Sequence, residues 1–365
     1  MPVYLHGLAT AVPDTAYDQR TARDVMKAWV GGDRRTDHLL HRIYEHSGIE
    51  VRHSVVGDFA PGADGGLYVD PQSGAFRNPS TAERNAVYAR EAMELFPRVA
   101  RAALERAAGF GSDDVTHVIT VSCTGFVAPG PDLAVVRELG LAPGTERYHL
   151  GFMGCYGAFP ALRMADAFCR ADPDAVVLVA AVELCSLHLQ PTCDLDALVA
   201  ASVFADGGAA TVVSARPPQA GGLRVEAFAT GLAPEGADAM AWTIGDTGFE
   251  MVLSNYVPKI VGARAHEAVE PLLRKAAVER GDVRRWAVHP GGRAILDRVE
   301  SGLRLPPEAL EASRGVLARF GNMSSATVLF VLERILEAGP PAGEPIVAMA
   351  FGPGLTVDAG VLSTV

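Results

Sequence analysis

The chain has 365 residues, 49% of them hydrophobic and 21% charged, and its formal net charge is −11 at pH 7. This length predicts about two domains or one large α/β unit of two halves, and the composition excludes a disordered chain. Because the charge is acidic and no long run of lysine and arginine occurs, nucleic acid and anionic membranes are not expected partners.

The cysteines and the apolar segments indicate a cellular compartment. An odd number of cysteines without a C-x-x-C pair predicts a reducing environment, with neither a disulfide framework nor a zinc site. The N-terminal residues lack a charged leader followed by an apolar region, and the most apolar run, 175–181, is too short to span a bilayer. A cytoplasmic location is therefore expected. The five cysteines are Cys123, Cys155, Cys169, Cys185 and Cys193.

The first half of the chain alternates predicted strands and helices. Runs rich in β-branched residues predict buried strands, and apolar residues at helical spacing predict helices. In chain order these are a strand at 115–122, a helix at 130–139, a helix from Cys155 to about Cys169, and strands at 175–182 and 207–215.

The second half repeats this order. Residues 282–292 are similar to 113–125, and 319–336 are similar to the segment that contains Cys155, with a glycine and methionine before a long apolar helix. An offset of about 167 residues places Asn322 at the position of Cys155. The repeat predicts two pseudo-equivalent α/β halves that face each other. The segment 214–222 is the expected join, which gives an N-terminal half of 1–216 and a C-terminal half of 217–365.

Cys155 lies in the sequence GFMGCYGAFP, after a glycine turn and at the predicted start of a helix. The unpaired N–H groups and the positive dipole end of a helix favour a thiolate, which predicts a thiol pKa below its usual value of about 8.5. The alternative interpretation is that Cys155 is one of several small core residues.

Two further polar residues occupy matching junctions. His289, in AVHPGGRAILD, ends a strand, and Gly291 and Gly292 after it allow the backbone to approach a ligand closely. Asn322, in FGNMSSA, precedes the helix 324–336 and is a good helix cap as well as a candidate site residue. A structural role remains an alternative for each.

Together the three residues indicate acyl transfer. A thiol beside an imidazole is an activated nucleophile, and a neutral amide donates a hydrogen bond without repelling an anion, which suits an enolate or thioester oxyanion. This set predicts that Cys155 takes an acyl group from a thioester. His289 and Asn322 would then hold a malonyl thioester while CO2 leaves. Loss of CO2 produces the carbanion, so no strong base is required.

These motifs resemble one family across nearly the whole chain. The sequence is similar to type III polyketide synthases, the chalcone-synthase-like branch of the thiolase superfamily, and more to bacterial members than to plant members. The resemblance implies a thiolase-like α/β fold in αβαβα layers. Its motifs are GFMGCYGA at Cys155, FADGGAA at 204–210, VHPGGRAILD at His289, GNMSSAT at Asn322 and AFGPGLTVD at 350–358, in which Ala350 replaces the first glycine of the family's GFGPG signature.

The resemblance also implies roles for individual residues. Cys155 matches the acyl-carrying nucleophile, and His289 and Asn322 match the pair for decarboxylation and oxyanion binding. Phe204 and Phe249 match two gate phenylalanines. Residues that shape the family's cavity match Cys123, Thr124, Met240 and Ser324.

CoA binding and assembly follow from the same resemblance. Arg42 matches a basic residue near the CoA phosphates, with Gly291 and Gly292 as further candidates, but Leu39 and His46 replace the neighbouring basic positions. Alternatively, Arg42 is a solvated surface charge, and Phe204, Phe249 and Met240 are ordinary core residues. The family is homodimeric, and Ala128 stands where it usually has an interface methionine.

The resulting expectation is an acyltransferase. It would load an acyl-CoA starter on Cys155, condense it repeatedly with malonyl-CoA or methylmalonyl-CoA, and cyclise the product to a resorcinol or pyrone, without cofactor, metal or obligatory carrier protein. The main alternative is a β-ketoacyl carrier protein synthase III. A hydroxymethylglutaryl-CoA synthase would need a glutamate base, and Glu183 is interpreted as structural. An inactive thiolase-like binding protein would have lost one of the three junction residues.

Overall fold

The computed structural model describes residues 1–60, 62–63, 65–219, 221–254 and 256–365. Its strands are β1 (Tyr4–Ala11), β2 (Ala16–Asp18), β3 (Val51–His53), β4 (His117–Ser122), β5 (Glu146–Gly151), β6 (Val176–Leu184), β7 (Asp206–Ser214), β8 (Leu223–Leu232), β9 (Met240–Gly245), β10 (Gly248–Leu253), β11 (Arg285–Val288), β12 (Pro345–Gly352) and β13 (Thr356–Thr364). Its α-helices are α1 (Gln19–Val30), α2 (Arg34–Glu45), α3 (Thr81–Arg106), α4 (Pro131–Leu139), α5 (Ala158–Ala171), α6 (Leu195–Val203), α7 (Val257–Ala276), α8 (Arg293–Leu303), α9 (Glu311–Phe320) and α10 (Thr327–Glu337).

The strands of the two halves repeat one pairing pattern. In the first half β4 is parallel to β6, β6 is antiparallel to β7, and β7 is antiparallel to β1. In the second half β11, β12, β13 and β8 pair in the same sequence of directions. The halves join where β1 pairs with β8, which gives the order β11-β12-β13-β8-β1-β7-β6-β4-β5. The predicted duplication is confirmed.

The helices form three layers around these strands. Helices α5 and α10 lie between the halves: α5 packs on β4, β6 and β7, and α10 packs on β11 and β12. Because both sides of α10 face apolar strands, seven of its eleven residues are buried. Helices α3 and α4 pack against the first half, and α7 packs with α8 against the second half. This is the predicted αβαβα arrangement.

The predicted strands agree with β4, β6 and β7, and two helix starts need correction. Helix α5 begins at Ala158, three residues after Cys155, and a 3-10 turn at Ser324–Ala326 precedes α10. Gly154 has φ +77° and Ser324 has φ +46°, so the chain turns through left-handed conformations before each helix starts. Cys155 therefore lies in a turn and not in the helix.

The remaining features of the chain add two observations. Strand β7 ends at Ser214 and β8 starts at Leu223, on either side of the predicted join at 214–222, whose residue Ala220 lies outside the described residues. Among the described helices, none is both long and apolar enough to cross a membrane.

Candidate active site

Cys155, His289 and Asn322 line one cavity of about 320 Å³, called here the Cys155 cavity. Cys155 comes from the turn before α5 in the first half. His289 follows β11 and Asn322 follows α9, both in the second half. The structure thus brings the three junction residues together from both halves.

The turn that carries Cys155 is fixed by close packing. A Cβ atom added to Gly154 would lie 2.3 Å from Cδ of Pro353, and one added to Gly352 would lie 2.3 Å from Cδ1 of Tyr156. Both distances are far below van der Waals contact. Glycine is therefore required on each side for the two segments to meet, and their contact sets the position of Cys155 relative to the second half.

Burial controls the charge state of Cys155. It raises the pKa of the thiol to about 12, while hydrogen bonds with the side chains of Ser324 and Asn322 lower it. The prediction of a depressed pKa was wrong. It assumed a helix N-terminus at Cys155, whereas the helix starts at Ala158 and desolvation of the buried sulfur outweighs the local donors.

His289 presents both ring nitrogens without a partner. Its backbone N–H donates to the carbonyl oxygen of Met349 at 2.8 Å, but neither Nδ1 nor Nε2 has a hydrogen-bond partner within the described ranges, although both atoms are buried. Burial lowers the pKa of His289 to about 3. The ring is therefore neutral near pH 7, with one N–H donor and one acceptor available to a ligand.

Asn322 has an orientation that its neighbours determine. Its Oδ1 accepts the backbone N–H of Ser324 at 2.9 Å, which leaves Nδ2 as the donor to the carbonyl oxygen of Gly291 at 3.3 Å. An amide nitrogen has two hydrogens, so one more is available beside Cys155. The capping interpretation and the site interpretation are both compatible with this geometry.

The other candidate residues fall into three groups. Phe204, Met240, Gly291 and Gly292 line the Cys155 cavity, and Ser324 contacts Cys155. Arg42 is exposed on α2 and does not line the cavity, whereas Ile43 near the end of α2 and His46 and Ser47 just after it do. Cys123 and Thr124 are buried behind Cys155, and Phe249 lines a second cavity of about 380 Å³.

Glu183 connects the loops around the site. Its carboxylate accepts hydrogen bonds from the backbone N–H of Cys123 at 2.8 Å, from Oγ1 of Thr124 at 3.0 Å and from Oγ of Ser325 at 2.5 Å. Burial raises the pKa of Glu183 to about 7. The residue does not line the Cys155 cavity. It links the loop after β4 in the first half to the 3-10 turn after Asn322 in the second.

Several wall residues were not predicted from the sequence. Met251 and Leu253 on β10 line the Cys155 cavity, and His188, after β6, lines the second cavity. Two sequence signals were available. Residues 249, 251 and 253 are apolar, which is the spacing of one face of a strand. His188 follows a buried strand, as His289 does.

Known proteins resemble the chain over its whole length. Residues 2–217 match the family of chalcone and stilbene synthases, N-terminal domain, and residues 225–365 match the C-terminal domain. A 1,3,6,8-tetrahydroxynaphthalene synthase of Streptomyces coelicolor is 33% identical, covering 89% of this chain and 84% of that protein. An alpha-pyrone synthesis polyketide synthase-like protein, Pks18, of Mycobacterium tuberculosis is 32% identical over 97% of this chain and 89% of its own. A polyketide synthase structure from the brown alga Ectocarpus siliculosus superposes with a TM-score of 0.91 at 29% identity, covering 100% of this chain and 99% of that one.

Replacement of Glu183 by Gln should change how stability depends on pH. Burial raises the Glu183 pKa from 4.5 to about 7. Between these two pH values the carboxyl of Glu183 therefore keeps its proton in the folded protein, whereas the unfolded chain releases it. The stability it contributes is complete below pH 4.5 and is lost as the pH rises through about 7. The free energy of unfolding of the wild type minus that of Glu183→Gln should therefore fall by about 3 kcal/mol between pH 4.5 and 8.

Urea unfolding at several pH values measures this difference. The exposed Glu105→Gln substitution on α3 is the control and should give a difference that does not change with pH. If the difference in free energy of unfolding for Glu183→Gln also did not change with pH, the buried carboxyl would not keep its proton.

Proposed function

Because the chain belongs to the chalcone and stilbene synthase family and is a type III polyketide synthase, an acyltransferase of a family that uses CoA thioesters, we propose that Cys155, His289 and Asn322 perform its chemistry. One observation supports these roles above all. The three side chains line a single cavity, in which both ring nitrogens of His289 are free of hydrogen bonds from any described residue.

The first step loads the starter. Sγ of Cys155 attacks the carbonyl carbon of an acyl-CoA while its proton passes to the free acceptor nitrogen of His289. Thiol and imidazole are both neutral before the reaction, so the proton moves as the new C–S bond forms. The bond to the CoA sulfur then breaks, the imidazolium returns the proton to the leaving thiolate, and the acyl group remains on Cys155.

The second step makes the carbon nucleophile. The N–H of His289 and the Nδ2–H of Asn322 donate to the thioester oxygen of malonyl-CoA, or of methylmalonyl-CoA, while CO2 leaves. The cavity wall is largely apolar, so the free malonyl carboxylate is poorly solvated and its loss is favoured. The enolate carbon then attacks the acyl group on Cys155, a C–C bond forms, and the sulfur leaves as a thiolate, which takes a proton from water and becomes the thiol of the next cycle.

Repetition of these steps and cyclisation would complete the reaction. We propose a resorcinol or pyrone as product, formed from CoA thioesters alone, without cofactor or carrier protein. Relatives are named for tetrahydroxynaphthalene and for alpha-pyrone synthesis, which supports a small cyclic polyketide. Gly291 and Gly292 line the cavity at the start of α8, where their backbone would contact the CoA arm, and Arg42 lies at the outer surface of α2 for its phosphates.

Replacement of Cys155 by Ala should separate the two steps. We expect condensation to fall more than 100-fold, because no sulfur carries the acyl chain, while malonyl-CoA is still decarboxylated to acetyl-CoA by His289 and Asn322. Products from hexanoyl-CoA and malonyl-CoA, without carrier protein, are identified by mass spectrometry.

The control for this variant is Cys193→Ala, which removes an exposed thiol and should keep full condensation. Condensation at the wild-type rate by Cys155→Ala would refute the nucleophile. A wild type that condenses acyl groups only when they are bound to a carrier protein would favour the synthase III alternative.

Asn322→Asp tests the oxyanion donor. The carboxylate has no N–H to donate and repels the malonyl carboxylate, so we expect decarboxylation to fall about 100-fold. Acylation of Cys155 by hexanoyl-CoA, followed by intact-protein mass spectrometry, should fall much less. Equal losses in both steps, or unchanged decarboxylation, would contradict the assignment.

We also propose a homodimer in the reducing cytoplasm. Strand β5 is the edge of the large sheet, and Glu146, Arg147 and His149 on it are exposed, with Phe126 41% exposed nearby. An unpaired edge strand is a ready surface for a second copy of the chain. All five cysteines are free thiols, as in proteins of reducing compartments.

The oligomeric state checks the dimer. Sedimentation equilibrium should give about twice the 38.4 kDa of one chain, and Arg147→Pro in β5 should shift the protein toward the monomer because proline removes a backbone donor and stiffens the edge. A wild type that sediments as a monomer at micromolar concentration would refute the dimer.

A further inference from the structure

A further cavity lies where the two halves of the sheet join, and we call it the seam cavity. Its walls come from β1, the end of α3, the start of β8, the end of α10 and the end of β13. Its volume is about 390 Å³, against about 320 Å³ for the Cys155 cavity, and no described residue lines both. A cavity of this size is within the range of small-molecule sites, and this one is separate from the residues of the proposed chemistry.

The seam stays open because the strands that join the halves separate early. In the described part of the chain, β1 and β8 pair over only two residues of each strand. Next to this pairing the register of β1 shifts between His6 and Ala9. Gly7 in this bulge has φ +55°, and a Cβ atom there would lie 2.1 Å from the carbonyl oxygen of Ala103 on α3, so glycine is required. Gly7 and Leu8 thereby face the cavity instead of a neighbouring strand.

Most of the side chains in the seam cavity are apolar. Leu5 and Leu8 come from β1, Leu223 from β8, Leu336 from α10, and Pro340 follows that helix. The first three are buried, whereas Leu336 and Pro340 are partly exposed. An apolar wall with a few polar groups at its edge is typical of sites for small organic molecules.

The polar groups are a guanidinium and two carboxylates. Nη1 of Arg106 donates to the carbonyl oxygen of Leu8 at 2.9 Å and to the carboxylate of Glu333. The other N–H groups of Arg106 donate to no described residue. Glu337, one turn after Glu333 on α10, is exposed and accepts only a long hydrogen bond of 3.4 Å from Arg334 within the described ranges. The cavity therefore offers N–H donors and a carboxylate acceptor to a ligand.

These charges favour an uncharged ligand. An anion, such as a CoA thioester or a carboxylic acid, would lie beside the carboxylates of Glu333 and Glu337, and a cation would lie beside Arg106. A neutral molecule avoids both repulsions if it has an oxygen to accept from Arg106 and an O–H to donate to Glu337. A hydroxylated ring with a short alkyl chain has both groups and an apolar body for the leucines.

We propose that the seam cavity binds a neutral hydroxylated ring with a short alkyl chain, which is the class of molecule that the enzyme itself forms. The identification with the product rests on the proposed function, whereas the chemistry of the cavity does not. A ring oxygen accepts from Arg106, a ring hydroxyl donates to Glu337, and the alkyl chain lies on Leu8 and Leu336. The enzyme would then hold its product at a second place, away from Cys155.

Three variants test the seam cavity. Leu336→Trp fills it from a partly exposed position of α10, and Glu337→Gln removes a charge but keeps an acceptor. Glu105→Gln is the matched control, because Glu105 is an exposed carboxylate on α3 that does not line the cavity. All three should keep condensation of hexanoyl-CoA within about twofold of the wild type, since none of these residues lines the Cys155 cavity.

Equilibrium dialysis of the full chain with 5-pentylresorcinol counts the bound molecules. We expect a dissociation constant of about 100 µM at the seam cavity, as for a probe of this size. Leu336→Trp should bind one molecule fewer per chain than the wild type. Glu337→Gln should weaken this site about fivefold, because a hydrogen bond to a charged acceptor is stronger than one to a neutral acceptor. Glu105→Gln should bind as the wild type does.

The ligand class has its own test. Hexanoate and hexylammonium each carry an alkyl chain and one charge, so neither should displace 5-pentylresorcinol from the site that Leu336→Trp removes. Displacement by either ion at equal concentration would overturn the assignment to an uncharged ligand.

The outcomes separate this inference from the proposed function, because binding is measured without turnover. If Leu336→Trp binds as many molecules as the wild type and Glu337→Gln binds as tightly as Glu105→Gln, the seam cavity is not a binding site, and the proposed function is unaffected. If the wild type binds the resorcinol at the seam cavity but forms no polyketide from any acyl-CoA, the proposed function is wrong and the binding site stands.

Discussion

The contact between the Cys155 turn and the Gly352–Pro353 segment is the constraint on which the site depends. Each segment comes from a different half, and each needs a glycine because a Cβ atom at Gly154 or Gly352 would lie 2.3 Å from the other segment. Glu183 adds a buried hydrogen-bonded link between the same halves. Because the halves meet at this point, the Cys155 thiol from one half and the polar side chains of His289 and Asn322 from the other keep a fixed separation, which is the preorganisation that the proposed chemistry needs.

Burial is the second determinant of the site, and it favours the uncharged forms of both Cys155 and His289. It raises the thiol pKa of Cys155 to about 12 and lowers the imidazole pKa of His289 to about 3, so both groups are uncharged, as the Asn322 amide always is. A cavity that disfavours isolated charge favours the loss of a malonyl carboxylate as CO2. The same burial makes neutral donors strong partners for an enolate oxygen.

The architecture and the proximity of Cys155, His289 and Asn322 could be predicted from the sequence, but the burial of these side chains could not. The offset from Cys155 to Asn322 reflects a duplication that the strand order repeats, so local patterns were sufficient there. The pKa of Cys155 was predicted in the wrong direction, because desolvation depends on residues such as Phe204 and Met240 that pack from distant parts of the chain. The exposed position of Arg42 is likewise set by how α2 packs, which a motif match does not specify.

His188 and His289 show that two histidines in similar settings can differ in what their ring nitrogens bind. Both follow buried strands, and burial lowers both pKa values to about 3. They differ in their hydrogen bonds. His188 uses both ring nitrogens to hold Thr124 and Phe249, whereas His289 has neither engaged by any residue in the described ranges. Two unpartnered nitrogens in an apolar cavity are costly for stability, and a ligand that accepts one hydrogen bond and donates another would recover that cost. Burial and pKa thus do not distinguish the two histidines, whereas the ring nitrogens, which no described residue engages, set His289 apart.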